Sequence, residues 1–533
     1  MARFPNLPCR PRGSKPGFRL LRLLPALLLL LLPAAAAAFA GEPSAPLRLT
    51  VLHTNDMHGY VAPRARGKDK EIRGGIARIA GAAAKVRREV EAKGGFSVLV
   101  DGGDFYAGTP EGNMTRGRLV VEMMNVARFD LACVGNHEFD DGPENLSFLA
   151  GIAKFPFLAA NLREKANGAR PSWVREFVIL DFGGVKGAFA GVLTTETAII
   201  SSGATAYEFE DETEALRRAA ANARKEGALF CVALTHMGFD RDQEVSDRFP
   251  ADVALVVGAH SHTPLKRGWR NPGTGLLVVQ TGCYAVQLGR VDLEIDRATG
   301  KVLSAEARLV PLTGEDAPEA QDVKAALDKG AAGIRREMDV VLGESVHEVE
   351  RSGGRFSGAS SPLGNWIADL IREAGNAEIG FQNRGGVRDV LPAGPVTMRD
   401  LFEICPFGNT VVAMDLPGKE LLALMETSLR EGDRFLLEVS GMEVEYDPDR
   451  EAGSRVLRVR VGGKPLDPAA SYRVATNSFL ADGGDGHPAF PRGTNRKDTG
   501  VYLRELLSRA VREKSPLKVE YRNRIKKRTD KEK

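Results

Sequence analysis

Five short stretches place metal-ligand side chains directly after apolar runs. They are Asp56 and His58 in LHTNDMHG, Asp104 in LVDGGD, Asn136 with His137 in VGNHE, His236 in ALTHMG, and His260 with His262 in VVGAHSH. The chain has eight histidines, and five of them are among these ligand-type residues; the others are His53, His347 and His487. Two divalent ions held close together need several nitrogen and oxygen donors and one shared carboxylate. The spacings Asp56-x-His58 and His260-x-His262 would turn both side chains of each pair to one side of an extended segment. One such pair alone fits a structural histidine equally well. Five stretches together do not. The densest is Gly135-Asn136-His137-Glu138-Phe139-Asp140, which follows the apolar run Leu131–Val134 and precedes Pro143, a residue suited to a helix start. Polar residues at the C-terminal end of a strand are the usual active-site position in an α/β fold. No nucleophile elbow of the G-x-S-x-G kind accompanies them.

The elements that must position these residues follow an α/β pattern. Leu47–His53, Phe96–Val100, Leu131–Val134, Ala228–Thr235, Val253–Val257, Leu276–Gln280 and Arg290–Ile295 read as strands. Phe177–Leu180 and Gly187–Leu193 read as a hairpin across Gly183-Gly184. Gly75–Glu91, Arg118–Val126 and Thr213–Lys225 read as helices. The stretch from Thr313 to Met338 is acidic and Ala-rich, and Asp322–Arg336 predicts one exposed helix connecting two domains. A second α/β pattern begins at Val341. Its expected helices are Pro362–Glu373, Met398–Ile404, Lys419–Leu429 and Val501–Arg512. Its expected strands are Ile379–Gln382, Val411–Leu416, Val456–Val461 and Tyr472–Thr476.

The termini have their own chemistry. Residues 1–40 read as a secretory signal peptide: a basic stretch with six Arg and Lys, an apolar run from Leu23 to Pro33, and a small-x-small site at Ala38-Phe39-Ala40. The run is too short for a membrane span. Cleavage after Ala40 would leave 67 basic against 70 acidic residues, a net charge near −3, which excludes a polycation built for polymeric nucleic acid. Residues 526–533 read as a solvated basic tail, and no apolar C-terminal stretch argues for a lipid anchor there. A periplasmic or secreted protein without a stable membrane anchor is expected; the sequence leaves its oligomeric state open. Cys133, Cys231, Cys283 and Cys405 are too few for a disulfide framework.

In the second half, Arg355, the run Asn383 to Arg388, Phe407 with Asn409, and FLADGGDG around Phe479 and Asp485 offer guanidinium and amide donors, a carboxylate and two aromatic faces on Gly-rich loops. A nucleoside site needs such an inventory, but taken singly a loop Phe fits ordinary packing and GGDG fits a turn, so composition alone gives this half no function.

The order LHTNDMHG, GGD, GNHEFDDGPENL, THMG and GAHSHT resembles the calcineurin-like metallophosphatases, and its wording resembles the secreted 5′-nucleotidase and UDP-sugar hydrolase family. The resemblance implies an N-terminal four-layer α/β/β/α metallophosphatase sandwich at 41–312, a linker helix at 313–338, and a C-terminal α/β substrate-binding domain with a mixed sheet at 339–525. It implies two divalent ions, zinc, manganese or similar. Asp56, His58, Asp104 and His262 would hold one; Asp104, Asn136, His236 and His260 the other. His137, oriented by Asp140, would serve the phosphate and leaving oxygen. Phe407 and Phe479 would sandwich the base, with Arg355, Asn383, Arg388, Asn409 and Asp485 on base, ribose or phosphate. The implied reaction is hydrolysis of nucleoside 5′-monophosphates, and of UDP-sugars as a further class, by attack of a metal-bound water on phosphorus. Alternatives are a 2′,3′-cyclic-nucleotide phosphodiesterase with 3′-nucleotidase activity, a thiosulfohydrolase of the same fold, and a non-catalytic nucleotide-binding protein. The sequence departs from the pattern at His262, where some relatives carry Gln or Asn, and at Arg384, where a small residue is usual. An added phosphate contact or a narrower pocket is expected from Arg384. The acid that often follows the first Arg is absent in RFSGASSPLGN.

Overall fold

A computed structural model describes residues 45–66, 71–356, 358–429 and 435–528. The expected signal peptide and the last five residues of the basic tail lie outside them.

Two mixed sheets form the N-terminal part. The first has seven strands in the order Val302–Pro311, Gln287–Ile295, Leu47–Thr54, Phe96–Asp101, Leu131–Cys133, Phe157–Leu158, Val174–Arg175. The second has six: Trp269–Arg270, Leu277–Val279, Val253–Gly258, Phe230–His236, Lys186–Leu193, Phe177–Asp181. Both sheets put Val, Leu and Phe on both faces, because each face is covered. Between the sheets, Leu49, Val51, Val98 and Leu131 meet Phe189, Val232, Leu234 and Val257 in one core. The expected hairpin is present, with Phe177–Asp181 antiparallel to Lys186–Leu193.

Helices close the outer faces, which completes the α/β/β/α layering. Helix Ile76–Ala92 turns Ile76, Ile79, Ala80, Ala83, Val86 and Val90 inward, at helical spacing. Helix Glu212–Lys225 covers the second sheet; the Asp211 side chain caps it by accepting from Glu214 N, and Arg224 and Lys225 lie in its last turn.

The connecting helix differs from expectation. Gln321–Met338 is amphipathic rather than exposed. Val323, Leu327, Ala331 and Ile334 are buried in the same cluster as Leu119, Val120 and Met123. Gly330 lies where an added Cβ would strike Leu119. Burying each of Val323, Leu327 and Ile334 is worth about 1.5–3 kcal/mol, so this helix is part of the N-terminal core.

The C-terminal part centres on a five-stranded mixed sheet in the order Leu437–Ser440, Ile379–Asn383, Ser471–Asn477, Thr410–Pro417, Thr494–Tyr502. Helices Pro362–Ala374 and Leu503–Glu513 contribute to the cluster on one side, and Gly418–Thr427 to that on the other. Helix Met398–Ile404 starts with a capping box between Thr397 and Asp400. Residues 525–527, expected near the solvated tail, form a strand parallel to Met442–Tyr446. The four cysteines of the described residues are free. Among the described residues no helix is long and apolar enough to cross a membrane.

Candidate active site

The strands Leu47–Thr54, Phe96–Asp101, Leu131–Cys133, Phe230–His236 and Val253–Gly258 all end at the same place. Each delivers a ligand-type residue from its final position or the turn that follows. Asp56, His58 and His262 bring ligand atoms together, as do Asp104, His236 and His260, and His58, Asp104 and His137. The route differs from the period-two argument. Asp56, His58, Asp104, His260 and His262 lie beyond the strands, with positive φ of 50°, 49°, 57°, 76° and 57°. Left-handed backbone is unfavourable for residues with a Cβ and persists only where the surroundings enforce it. Here the enforcement is visible: Asp56 N donates to Gly103 O, His58 N to Asp104 O, and His260 N to the Asp56 carboxylate at 3.0 Å.

The imidazoles are fixed from behind. His58 Nδ1 donates to Ala107 O at 2.8 Å and His236 Nδ1 to Gly102 O at 2.9 Å. Each therefore turns the lone pair of Nε2 inward. His236 Nε2 faces Asp104 Oδ2 and Asn136 Oδ1, both at 3.2 Å, while His260 Nδ1 lies 2.9 Å from Asn136 Oδ1. His58 Nε2 lies 2.9 Å from His262 Nε2, which is 3.5 Å from Asp56 Oδ1. Acceptor atoms turned on one another require a positive charge among them, a ring proton or a bound cation. Burial opposes charge on His236, yet Asp104 outweighs it and lifts the imidazole to about 9. This donor set, buried and sharing Asp104, fits divalent cations.

His137 stands beside these groups. Its Nδ1 binds Asp140 Oδ2 at 2.7 Å, and Asp140 Oδ1 accepts from Ser201 Oγ at 3.1 Å. Burial disfavours the imidazolium, but Asp140 and then Asp104 raise the His137 pKa above its ordinary value.

Three positioning residues escape the sequence reading. Glu138, fully buried, accepts from Asp104 N (2.8 Å), Phe105 N (2.9 Å) and Gly135 N (2.7 Å). It ties the Asp104 turn to the Asn136–His137 turn. Asn55 bonds Gly282 O and Thr281 and donates to Asp56 Oδ2 at 2.6 Å. Ser201 holds Asp140. Glu138 and Asn55 sit inside the motifs, where a polar residue adjacent to a ligand was the available signal. Ser201 had none.

The C-terminal candidates divide. Arg388 Nη2 reaches His58 Nε2 at 3.0 Å. Phe407 stacks on His137, ring centroids 5.7 Å apart at 18°. Asn383 Nδ2 donates to Asp485 Oδ2 at 3.0 Å, and Asn409 Oδ1 accepts from Ser478 Oγ at 3.2 Å. Phe479 is half-buried on the short helix Ser478–Ala481, rather than in a loop, with Gly484 against its ring. Arg355 pairs with Glu350 and covers the Phe356 ring, contacts apart from those of the other candidates. Arg384 departs from expectation. It is buried, donates to Phe356 O and Ala359 O, and lies 3.2 Å from Glu438, so it braces the fold instead of adding a phosphate contact.

Comparison with known proteins agrees with this geometry. Residues 49–264 match the family described as calcineurin-like phosphoesterase, and residues 341–492 that described as 5′-nucleotidase, C-terminal domain. The snake venom 5′-nucleotidase of Crotalus adamanteus is 30% identical over 89% of this chain and 88% of its own length. Protein UshA of Escherichia coli strain K12 is 28% identical over 91% of this chain and 94% of its own. The crystal structure of a 5′-nucleotidase precursor from Thermus thermophilus superimposes with a TM-score of 0.83 at 32% identity, covering 90% of this chain and 99% of that one.

Proposed function

The chain belongs to the 5′-nucleotidase family, a metal-dependent phosphoric-ester hydrolase acting on nucleotides, and we propose that it is an exported enzyme cleaving nucleoside 5′-monophosphates, with UDP-sugars as a further substrate class. One observation carries the reading: two converging donor sets share Asp104, with the His137–Asp140 pair beside them and Arg388 reaching in from the C-terminal part.

In this proposal Asp56, His58, Asp104 and His262 would hold one divalent cation, and Asp104, Asn136, His236 and His260 the other. Such cations supply a polarised water for attack on phosphorus and neutralise the phosphoryl oxygens. The chain's own groups do the rest. Asp140 occupies His137 Nδ1 and leaves Nε2 to deliver a proton to the leaving oxygen, a task matched by its raised pKa. Arg388 meets the phosphate charge. Phe407 and Phe479 offer aromatic faces for the base, and Asn383, Asn409 and Asp485 polar groups for base or ribose; Arg355 would join them only by leaving Glu350. The expected signal peptide directs the chain to the periplasm or the medium.

The test is phosphate release from AMP, UDP-glucose, 3′-AMP and 2′,3′-cAMP, with and without chelator. AMP turnover that a chelator abolishes and a divalent metal restores is expected. No metal-dependent turnover of any substrate would sink the proposal, and preferential cleavage of 2′,3′-cAMP would replace it with the cyclic-phosphodiesterase reading.

A further inference from the structure

Residues 405–409 carry Phe407 and Asn409, yet they have no regular structure of their own. Helix Met398–Ile404 ends before them and strand Thr410–Pro417 begins after them. Their conformation is imposed from a different helix. Arg504, in the first turn of Leu503–Glu513, directs Nη1 at three consecutive carbonyls: Cys405 O at 3.1 Å, Pro406 O at 2.8 Å and Phe407 O at 3.0 Å. One nitrogen has two protons for three acceptors, so the carbonyls must converge and share them. That convergence curls the backbone of the segment, whose Phe407 ring stacks on His137.

Two further contacts make this a built support. The Arg504 guanidinium lies 4.3 Å from the centre of the Phe402 ring, which fixes its plane. Leu503 N donates to Asn409 O at 3.0 Å, so the same helix turn holds both ends of the segment. Ser478 Oγ then accepts from Thr410 N at 3.3 Å and donates to Asn409 Oδ1, joining the segment to the turn that carries Phe479.

We propose that Arg504 is a positioning residue for substrate selection, which sets the height and tilt of Phe407 and through it the preference for phosphate esters that carry a nucleobase. This rests on the reading of Phe407 as the base-stacking face. Arg504 acts through the loop and not on the phosphate, so its loss registers in discrimination between substrates. Lysine can reach the carbonyls but lacks a plane to lie on Phe402, and serves as a partial substitute.

The experiment measures kcat and KM for AMP and for ribose 5-phosphate, which shares the phosphate and sugar but has no base. The proteins are wild type, R504M, R504K, F407A and R504M/F407A, each loaded with metal. R504M is expected to lower the AMP to ribose 5-phosphate ratio of kcat/KM about tenfold, mainly through KM, within the range that base stacking supplies. R504K should fall between. In the F407A background R504M should leave the ratio unchanged, because the residue it acts through is gone. Equal losses on both substrates, or a change in ratio that persists in F407A, would overturn the proposal. Should R504M not fold, R504K alone must shift the ratio in the same direction, and an unshifted ratio overturns it. A wild type that prefers AMP, combined with an F407A ratio equal to wild type, would instead remove the base-stacking reading of Phe407 itself.

Discussion

His137 uses Nδ1 on Asp140 at 2.7 Å and contributes only a backbone N–H to Asp104, at 2.9 Å. Truncating its ring therefore leaves the donors of the two cation sets in place. H137A is expected to retain the wild-type metal content by elemental analysis while turnover falls by roughly 10²-fold or more, the range of a lost general acid. Loss of metal from H137A would mean that the ring is a ligand. The residues themselves were legible, since polar types after apolar runs single them out. Their geometry was not. An Asp-x-His spacing says nothing of φ, and it is left-handed backbone at Asp56, His58, His260 and His262, held by long-range bonds such as His260 N to Asp56, that turns the side chains together. Glu138 was hidden for the same reason: its three partners are backbone N–H groups on two separate turns.

Beyond His236 the chain turns at Gly238 and enters helix Phe239–Val245, which buries Asp242 completely against Gly258. Burial lifts the pKa of Asp242 to about 8, against the opposing pull of a hydrogen bond from Thr235 and of His236. The folded state thus keeps a proton that the unfolded state releases above about pH 4. Stability on this account is full at low pH and declines as pH rises toward 8. D242N, neutral at every pH, is expected to raise Tm more at pH 8 than at pH 5 by differential scanning fluorimetry. A constant offset at both pH values would show that Asp242 is already ionised in the fold. Elements with strong apolar periodicity were readable in the sequence to within a few residues. Val302–Pro311 and Thr494–Tyr502 were missed as strands because they lie at sheet edges with largely exposed side chains. Helix Gln321–Met338 was misjudged because its charged, Ala-rich composition masks the stripe Val323, Leu327, Ala331, Ile334.

Across the molecule, residues about 100 to 340 positions apart make the contacts that hold the C-terminal part against the metal-site turns, and no local pattern encodes them. Arg399 bonds Glu111 at 2.7 Å and Asp339 at 2.6 Å, Arg64 pairs with Glu403, and Tyr284 donates to Arg388 O at 3.2 Å. Glu111 and Glu403 are 1% and 2% exposed. Charges so far from water are strongly dependent on their partners: removing one member of such a pair costs about 3–5 kcal/mol if the other stays buried. Glu111 lies in the short helix that follows the Asp104 turn, and Arg399 in the helix that leads to Phe407. An uncompensated Glu111 therefore has an alternative to staying buried, which is for the two parts to separate and let water reach it. R399M is expected to take that route, with a larger radius of gyration by small-angle scattering, a raised KM for AMP and a Tm close to wild type. An unchanged radius with Tm lowered by many degrees would show that the two parts are locked as one body. In that case Phe407 and Arg388 would belong to a preformed pocket that substrate enters, rather than to a face that closes over it.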